Sequence, residues 1–382
     1  MSNSETHHAV EASHARACAL VLSAAALFFH TWVPPLAAAQ LQVCDPHELS
    51  ANEAFWQSDL MSNETVMMLA PARGGVAEAQ LLWPAIEVLS VRDSTLGVEL
   101  RNGTDFTYEA GTLRLAQGLT QYALPMADLS VEGQPRLEED HWYHRHQLVV
   151  TYLHEPGLWT GPLPAFRLER LRAKLGVPGA PIRVSILGDS IARGYSASGF
   201  STDMFEAAPP YLATWPQVVA CRMQQRYGAN VVLNNASLAG STSDWGRQVI
   251  RSTVSVTAPD LVVIAFGMND GSLGVAADSF ERNIQAMIDD VRVLNPTADF
   301  IIVAPMLAHP GWAAAGDQAQ YLPVLTALAD RNGAALVDMT TTHSLLLTTK
   351  RYADMTGNGV NHPNDFLSRW YGYLVSAAID GI

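Results

Sequence analysis

The chain has 382 residues, of which 48% are apolar and 16% charged, and its formal charge is −14. That length allows two domains at about 100–200 residues each, and the apolar content excludes a disordered chain. The acidic balance argues against nucleic acid or an anionic membrane surface as partner, because both call for a basic patch. Only Lys174 and Lys350 are lysines among the 23 basic residues, which reads as background composition. Cys18, Cys44 and Cys221 are too few for a metal cluster or a disulfide scaffold.

Residues 1–16 are polar and include Arg16; an apolar run over 17–29 follows, then Trp32, Pro34, Pro35 and Ala37-Ala38-Ala39. A basic flank, a short apolar core and a small-residue site read as a secretory signal peptide over 1–39, cleaved after Ala39. The run falls short of the roughly 20 apolar residues of a membrane span; an uncleaved anchor is the alternative. Cleavage implies a secreted or periplasmic protein with no membrane contact. It removes Cys18, and export permits Cys44 and Cys221 to pair, with two unpaired thiols the equal alternative. Cys44 lacks the apolar-small-small lead-in of a lipoprotein site, so no lipid anchor is expected.

Short apolar runs at 65–69, 80–83, 86–91, 112–115 and 148–152 come next. Gly74-Gly75, Asn102-Gly103, Gly111 and Gly133 with Pro135 separate them. Frequent turns between short strands predict a small all-β sandwich domain over 45–160. A Gly- and Pro-rich stretch over 156–181, with a short helix at 166–175, marks the boundary. Beyond it the pattern becomes strand–helix alternation. Strands are predicted at 184–187, 231–233, 261–266, 300–303 and 335–337. One helix opens at Trp215-Pro216 and stops at Gly228. Another carries Phe280, Ile284, Met287, Ile288, Val291 and Leu294 on one stripe and ends at Asn295-Pro296. The last covers 366–379. This alternation predicts an α/β domain over 180–382, a five-stranded parallel sheet with helices on both faces.

In such sheets ligands bind beyond the carboxyl ends of the strands. Strand one runs into Gly188-Asp189-Ser190, strand two into Asn235-Ala236-Ser237-Leu238-Ala239-Gly240, and strand three into Gly267-Met268-Asn269-Asp270. Asn361-His362-Pro363-Asn364-Asp365 precedes the last helix. Ser, Gly, Asn and His thus share one rim, and those groups suit acyl transfer. A serine hydroxyl needs a base to take its proton, and His serves near neutral pH. Backbone N–H groups and an Asn amide can hold the oxyanion of a tetrahedral intermediate.

These four loops resemble, in order, the four blocks of the SGNH (GDSL-type) esterase and lipase superfamily, from about residue 182 to the end. The resemblance implies a flavodoxin-like three-layer α/β/α fold, with Ser190 as nucleophile and His362 as base. It also implies an oxyanion hole from Ser190, Gly240 and Asn269. One departure stands out. The superfamily usually places an Asp three residues before the His, and that position is Gly359 here. Asp354, Asp338, Asp365, Asn358 or a backbone carbonyl are the candidates for the missing role, and a Ser–His dyad is the alternative.

Asp189, Asn235 and Asp270 read as loop braces and Asp365 as the cap of the final helix. His141, His144 and His146 have a metal-like spacing, but no supporting carboxylate–His motif; a polar face is the simpler reading, and no metal or cofactor is predicted. Trp215, Trp245, Trp312 and Trp370 are assigned to packing rather than to a sugar platform. The segment Gly194-Tyr195-Ser196-Ala197-Ser198 lacks the closing glycine of a Gly-x-Ser-x-Gly elbow. An exported SGNH-like domain preceded by a β-domain also resembles the enzymes that remove acetyl groups from carbohydrates, and that resemblance implies a secreted serine esterase acting on short-chain, chiefly acetyl, esters. The substrate is an acylated small molecule or polysaccharide. Lipid or aryl esters, or a glycan-binding protein with a weakly active SGNH-like domain, are the alternatives.

Overall fold

Five short strands rich in Val, Ile and Leu, each flanked by helices, form the parallel sheet that the alternation predicts. They are β1 (Pro181–Gly188), β2 (Asn230–Asn235), β3 (Leu261–Ala265), β4 (Asp299–Ala304) and β5 (Ala335–Asp338). The computed structural model describes residues 53–381; the expected signal peptide over 1–39 and Cys44 lie outside the described residues. The strand order is β2-β1-β3-β4-β5, and every pairing is parallel. This is the flavodoxin-like order, in which the chain reverses direction across the sheet between β1 and β3. All residues of β3 and β4 are buried, as strands covered on both faces must be.

Alternate strand residues feed two cores. Val262, Ile264, Phe300 and Ile302 pack with Phe280, Ile284, Met287, Ile288 and Val291 of the helix Ala277–Leu294. Leu294, assigned to the same stripe, lies at the last turn and is 47% exposed. On the other face Ile182, Val184, Ile186, Val263 and Ile301 meet Trp215 and Val219 of the helix Trp215–Tyr227 and Trp370 and Tyr371 of the helix Asp365–Asp380. Trp215–Tyr227 begins with a capping box of Thr214 and Gln217 and ends at Gly228, φ 60°. Its Cys221 is disulfide-bonded. The final helix is capped by Asn364, whose side chain accepts the Leu367 N–H at 3.1 Å. The expected cap, Asp365, instead accepts the Ser198 N–H at 2.7 Å. Its own position inside the first turn leaves the capping geometry to the residue before it.

Upstream, residues 60–154 form two main sheets. One is antiparallel, with Leu60–Met67, Gln147–His154, Ala85–Asp93 and Glu99–Leu100 in that spatial order. The other is mixed and has five short strands, of which Leu69–Ala70 pairs in parallel with Leu124–Pro125. The helix after them, Glu169–Leu175, starts later than expected. This N-terminal region shares the core of the α/β domain. Phe55 packs 5.4 Å from Phe366, 5.3 Å from Trp370 and 5.0 Å from Tyr373, ring centre to ring centre.

Polar contacts then tie the first strand to the segment that precedes the final helix. Thr65 Oγ1 donates to the Asp354 carbonyl at 2.6 Å, and the Met67 N–H donates to the Asp354 carboxylate at 2.7 Å. Asn364 Nδ2 donates to Thr65 Oγ1 at 2.8 Å and to Gln147 Oε1 at 3.0 Å. The loop that carries His362 is therefore held on both sides, by the α/β domain and by the N-terminal sheet.

Candidate active site

The turn that carries Ser190 follows β1. Gly188 makes it possible, because a Cβ there would sit 2.1 Å from the Ala265 carbonyl of β3. Asp189 caps the short helix Ser190–Arg193 by accepting the Ile191 N–H at 2.9 Å. Burial pushes the Asp189 carboxyl up to about 7. Ser190, the first helical residue, is 4% exposed.

The second and third loops close on this turn. Asn235 Nδ2 donates to the Ala192 carbonyl at 2.9 Å, and its oxygen accepts the Ser237 N–H at 3.1 Å, so it acts as a brace. Ser241 Oγ donates to the Gly188 carbonyl at 3.1 Å. Asn269 Nδ2 donates to the Ser241 carbonyl at 2.9 Å. Gly240, with φ +74°, precedes that serine. Ser241 thus links the Gly240 loop to the Ser190 turn and to Asn269. Asp270 is buried and accepts both the N–H and the hydroxyl of Ser243, which keeps the Asn269 loop in place.

His362 arrives from the other side. Thr356 and Pro363 bridge to close its loop, and the buried Asn358 accepts the N–H groups of Val360, Asn361 and His362 at 3.2, 3.1 and 3.0 Å. The result is a 2.9 Å contact between His362 Nε2 and Ser190 Oγ. Four stretches distant in sequence meet at the carboxyl ends of β1 and β3, where the strand order reverses.

The far side of the imidazole differs from every candidate weighed from sequence. Asp338 caps the helix Met339–Leu346, accepting the Thr341 N–H. Asp354 is occupied by the N–H groups of Met67 and Arg351, Asp365 by Ser198, and Asn358 by its own loop. Nδ1 faces two other groups, Ser196 Oγ at 3.3 Å and Glu139 Oε2 at 3.6 Å. Asn358 Nδ2 donates to the second oxygen of Glu139 at 3.0 Å. Burial raises the Glu139 carboxyl, but the neighbouring imidazole and the Asn358 amide lower it further, so that it lies below its usual range. Neither residue carries a local signal. Ser196 sits in the failed elbow, and Glu139 lies in the N-terminal region beside a histidine run that draws attention away from it.

Each histidine of that run is engaged by a backbone carbonyl: His141 by Glu206 at 2.8 Å, His144 by Pro209 at 2.7 Å and His146 by Trp142 at 2.7 Å. Among the described residues, no group of three or more His, Cys, Asp or Glu side chains is arranged to hold a metal ion. Trp215 donates its indole N–H to the Ile191 carbonyl at 2.8 Å, one residue after Ser190, and Trp370 is fully buried. A cleft beside the imidazole is lined by Glu139, His141, Tyr195, Ser196, Phe200, Phe205 and Gly357.

A serine and a histidine within hydrogen-bonding distance at the switch point of a three-layer sheet, next to Gly and Asn loops, are the constellation of a serine hydrolase. Residues 186–367, within the α/β domain, match the GDSL-like Lipase/Acylhydrolase family model. An arylesterase of Vibrio mimicus is 26% identical over 110 residues, 29% of this chain and 48% of its own. The thioesterase 1/protease 1/lysophospholipase L1 of Escherichia coli K12 is 29% identical over 110 residues, 29% of this chain and 45% of its own. The chain thus spans about half the length of the curated relatives it matches. Among solved structures, a two-domain esterase active on acetylated mannans, co-crystallised with mannopentaose, is similar at 18% identity and a TM-score of 0.45. The match covers 56% of this chain and 53% of that one.

Proposed function

We propose that the protein is a serine esterase that removes short acyl groups, acetyl above all, from carbohydrate or similarly hydroxylated alcohols. The observation that carries this reading is the 2.9 Å contact between Ser190 Oγ and His362 Nε2. His362 takes the hydroxyl proton as Ser190 attacks the ester carbonyl. The Ser190 and Gly240 N–H groups and Asn269 Nδ2 receive the oxyanion. The carbon–oxygen bond to the alcohol then breaks, and the alcohol leaves with the proton held on Nε2. Water, activated by the same imidazole, releases the acid and restores Ser190.

The preference for a short acyl group on a hydroxylated alcohol rests on the cleft. Tyr195 lies 4.4 Å from Phe200 and 5.2 Å from Phe205, ring centre to ring centre, and these rings share the cleft with Glu139 and His141. Aromatic faces with polar neighbours suit a sugar ring better than a long alkyl chain. Export is part of the same proposal. It is supported by the signal-like residues 1–39 and by a disulfide at Cys221, a bond favoured by oxidising compartments.

Hydrolysis of p-nitrophenyl acetate, butyrate and octanoate, with acetate release from acetylated xylan, tests the reading. Rates that fall with acyl length and vanish in Ser190→Ala are expected. Equal rates for Ser190→Ala and wild type overturn the enzyme, and a preference for octanoate overturns the substrate. N-terminal sequencing of exported protein should begin after Ala39.

A further inference from the structure

Gly359 occupies the position where the resemblance leads one to expect an aspartate, and the structure shows what that glycine permits. Its φ is +93°, and a Cβ there would lie 2.0 Å from the Arg136 carbonyl and 2.4 Å from the Tyr143 hydroxyl. Any side chain at 359 would push the 136–143 segment away. With glycine the segment closes on the catalytic loop: the Glu138 N–H donates to the Asn358 carbonyl at 3.1 Å, and Tyr143 donates to the Arg136 carbonyl at 2.8 Å. Glu139 is thereby carried to the His362 Nδ1 edge.

We propose that Glu139, delivered by the N-terminal region, is the positioning acid of a Ser190–His362–Glu139 triad, and that Gly359 is its structural counterpart. The inference rests on the serine-esterase reading above. Asn358 joins the three parts, because its amide nitrogen holds Glu139 Oε1 while its oxygen holds the His362 N–H. The carboxylate fixes the imidazole with Nδ1 protonated, leaving Nε2 free to accept the serine proton. As that proton moves, the carboxylate stays ionised and stabilises the imidazolium. At 3.6 Å the contact is longer than a hydrogen bond, and such catalytic contacts commonly tighten once substrate binds. Ser196 is the rival. Its hydroxyl is nearer, but it carries no charge to stabilise the imidazolium, and because it can donate or accept it does not fix the tautomer as a carboxylate does.

The test compares wild type, Glu139→Gln, Glu139→Ala and Ser196→Ala in the full chain, on p-nitrophenyl acetate. Glu139→Gln keeps the Asn358 contact and should lower kcat about 100-fold, less than the loss for a fully buried triad acid, with KM little changed. The side chain is 42% exposed, so added formate should restore part of the rate to Glu139→Ala and none to Glu139→Gln, where the site is filled. A Glu139→Gln kcat close to wild type, or a larger loss in Ser196→Ala than in Glu139→Gln, overturns the triad. Imidazole ¹⁵N NMR, with the ring identified through His362→Gln, gives a reading independent of turnover. The ionisable groups around this ring are Glu139, Asp189 and Tyr195. In Glu139→Gln the signal of the Nδ1-protonated tautomer should weaken relative to wild type at one fixed pH, and an unchanged tautomer pattern overturns the proposal. A wild type whose tautomer depends on Glu139 in this way yet hydrolyses no ester defeats the esterase reading and leaves the pairing standing.

Discussion

Replacing Lys350 with Met should loosen the segment that leads into the His362 loop from the N-terminal sheet. Lys350 and Glu64 form an ion pair whose two side chains are 0% exposed. The ammonium donates to Glu64 Oε1 and to the carbonyls of Thr65 and Gln80, both at 3.1 Å. Glu64 also accepts the Tyr152 hydroxyl at 2.6 Å and the Leu82 N–H at 2.9 Å. In Lys350→Met those two donors remain, but the carboxylate is left buried without its cation. Breaking one side of a buried pair costs about 3–5 kcal/mol. For a shared core of about 330 residues that corresponds to a fall in Tm of about 4–7 °C. Differential scanning calorimetry and urea unfolding read the loss directly. The partner change Glu64→Gln, combined with Lys350→Met, should recover most of it, because the uncompensated charge is gone. A Lys350→Met protein within about 1 kcal/mol of wild type would refute the reasoning, as would a double variant no more stable than the single one.

Three further outcomes follow from the same geometry. Gly359→Ala should displace the 136–143 segment and lower kcat toward that of Glu139→Gln, and Gly359→Asp should not rescue it; steady-state kinetics check both. Asn269→Ala removes an amide assigned to the oxyanion and should cost about 10²–10³ in kcat, with the Ser190–His362 contact intact in a crystal structure. The Asp189 carboxyl is raised from 3.8 to about 7, so the folded protein binds its proton more tightly than the unfolded chain does. That contribution to stability is full below about pH 4 and is lost as pH rises through about 7. Asp189→Asn should flatten the wild-type decline across that window in chemical unfolding.

The α/β half was legible because its periodicities are strong. The β3 run Leu261–Ala265 is apolar at every position and buried at every position. The helix Trp215–Tyr227 carries its own start in Pro216 and its own stop in Gly228. The helices Ser243–Thr253 and Tyr321–Asn332 were not foreseen. The first is interrupted by Gly246, and the second holds Pro323 in its first turn. Ser190, Gly240, Asn269 and His362 were singled out because each follows a recognisable strand or precedes a helix. Glu139 was not, since its nearness to His362 depends on how a distant sheet docks, and that docking is set by residues such as Glu64, Lys350 and Asn364 that look unremarkable in sequence. The departure at Gly359 was the one visible trace of it, and it pointed to something missing rather than to where the replacement lay.

The central claim is that Ser190 Oγ becomes acylated with His362 as its base. Intact-protein and peptide mass spectrometry after rapid quench of a p-nitrophenyl acetate reaction tests it most directly. An added acetyl group on the Ser190 peptide, absent in Ser190→Ala and formed far more slowly in His362→Ala, is the predicted result. An acetyl group on another residue, or equal labelling in the Ser190→Ala protein, would contradict the account.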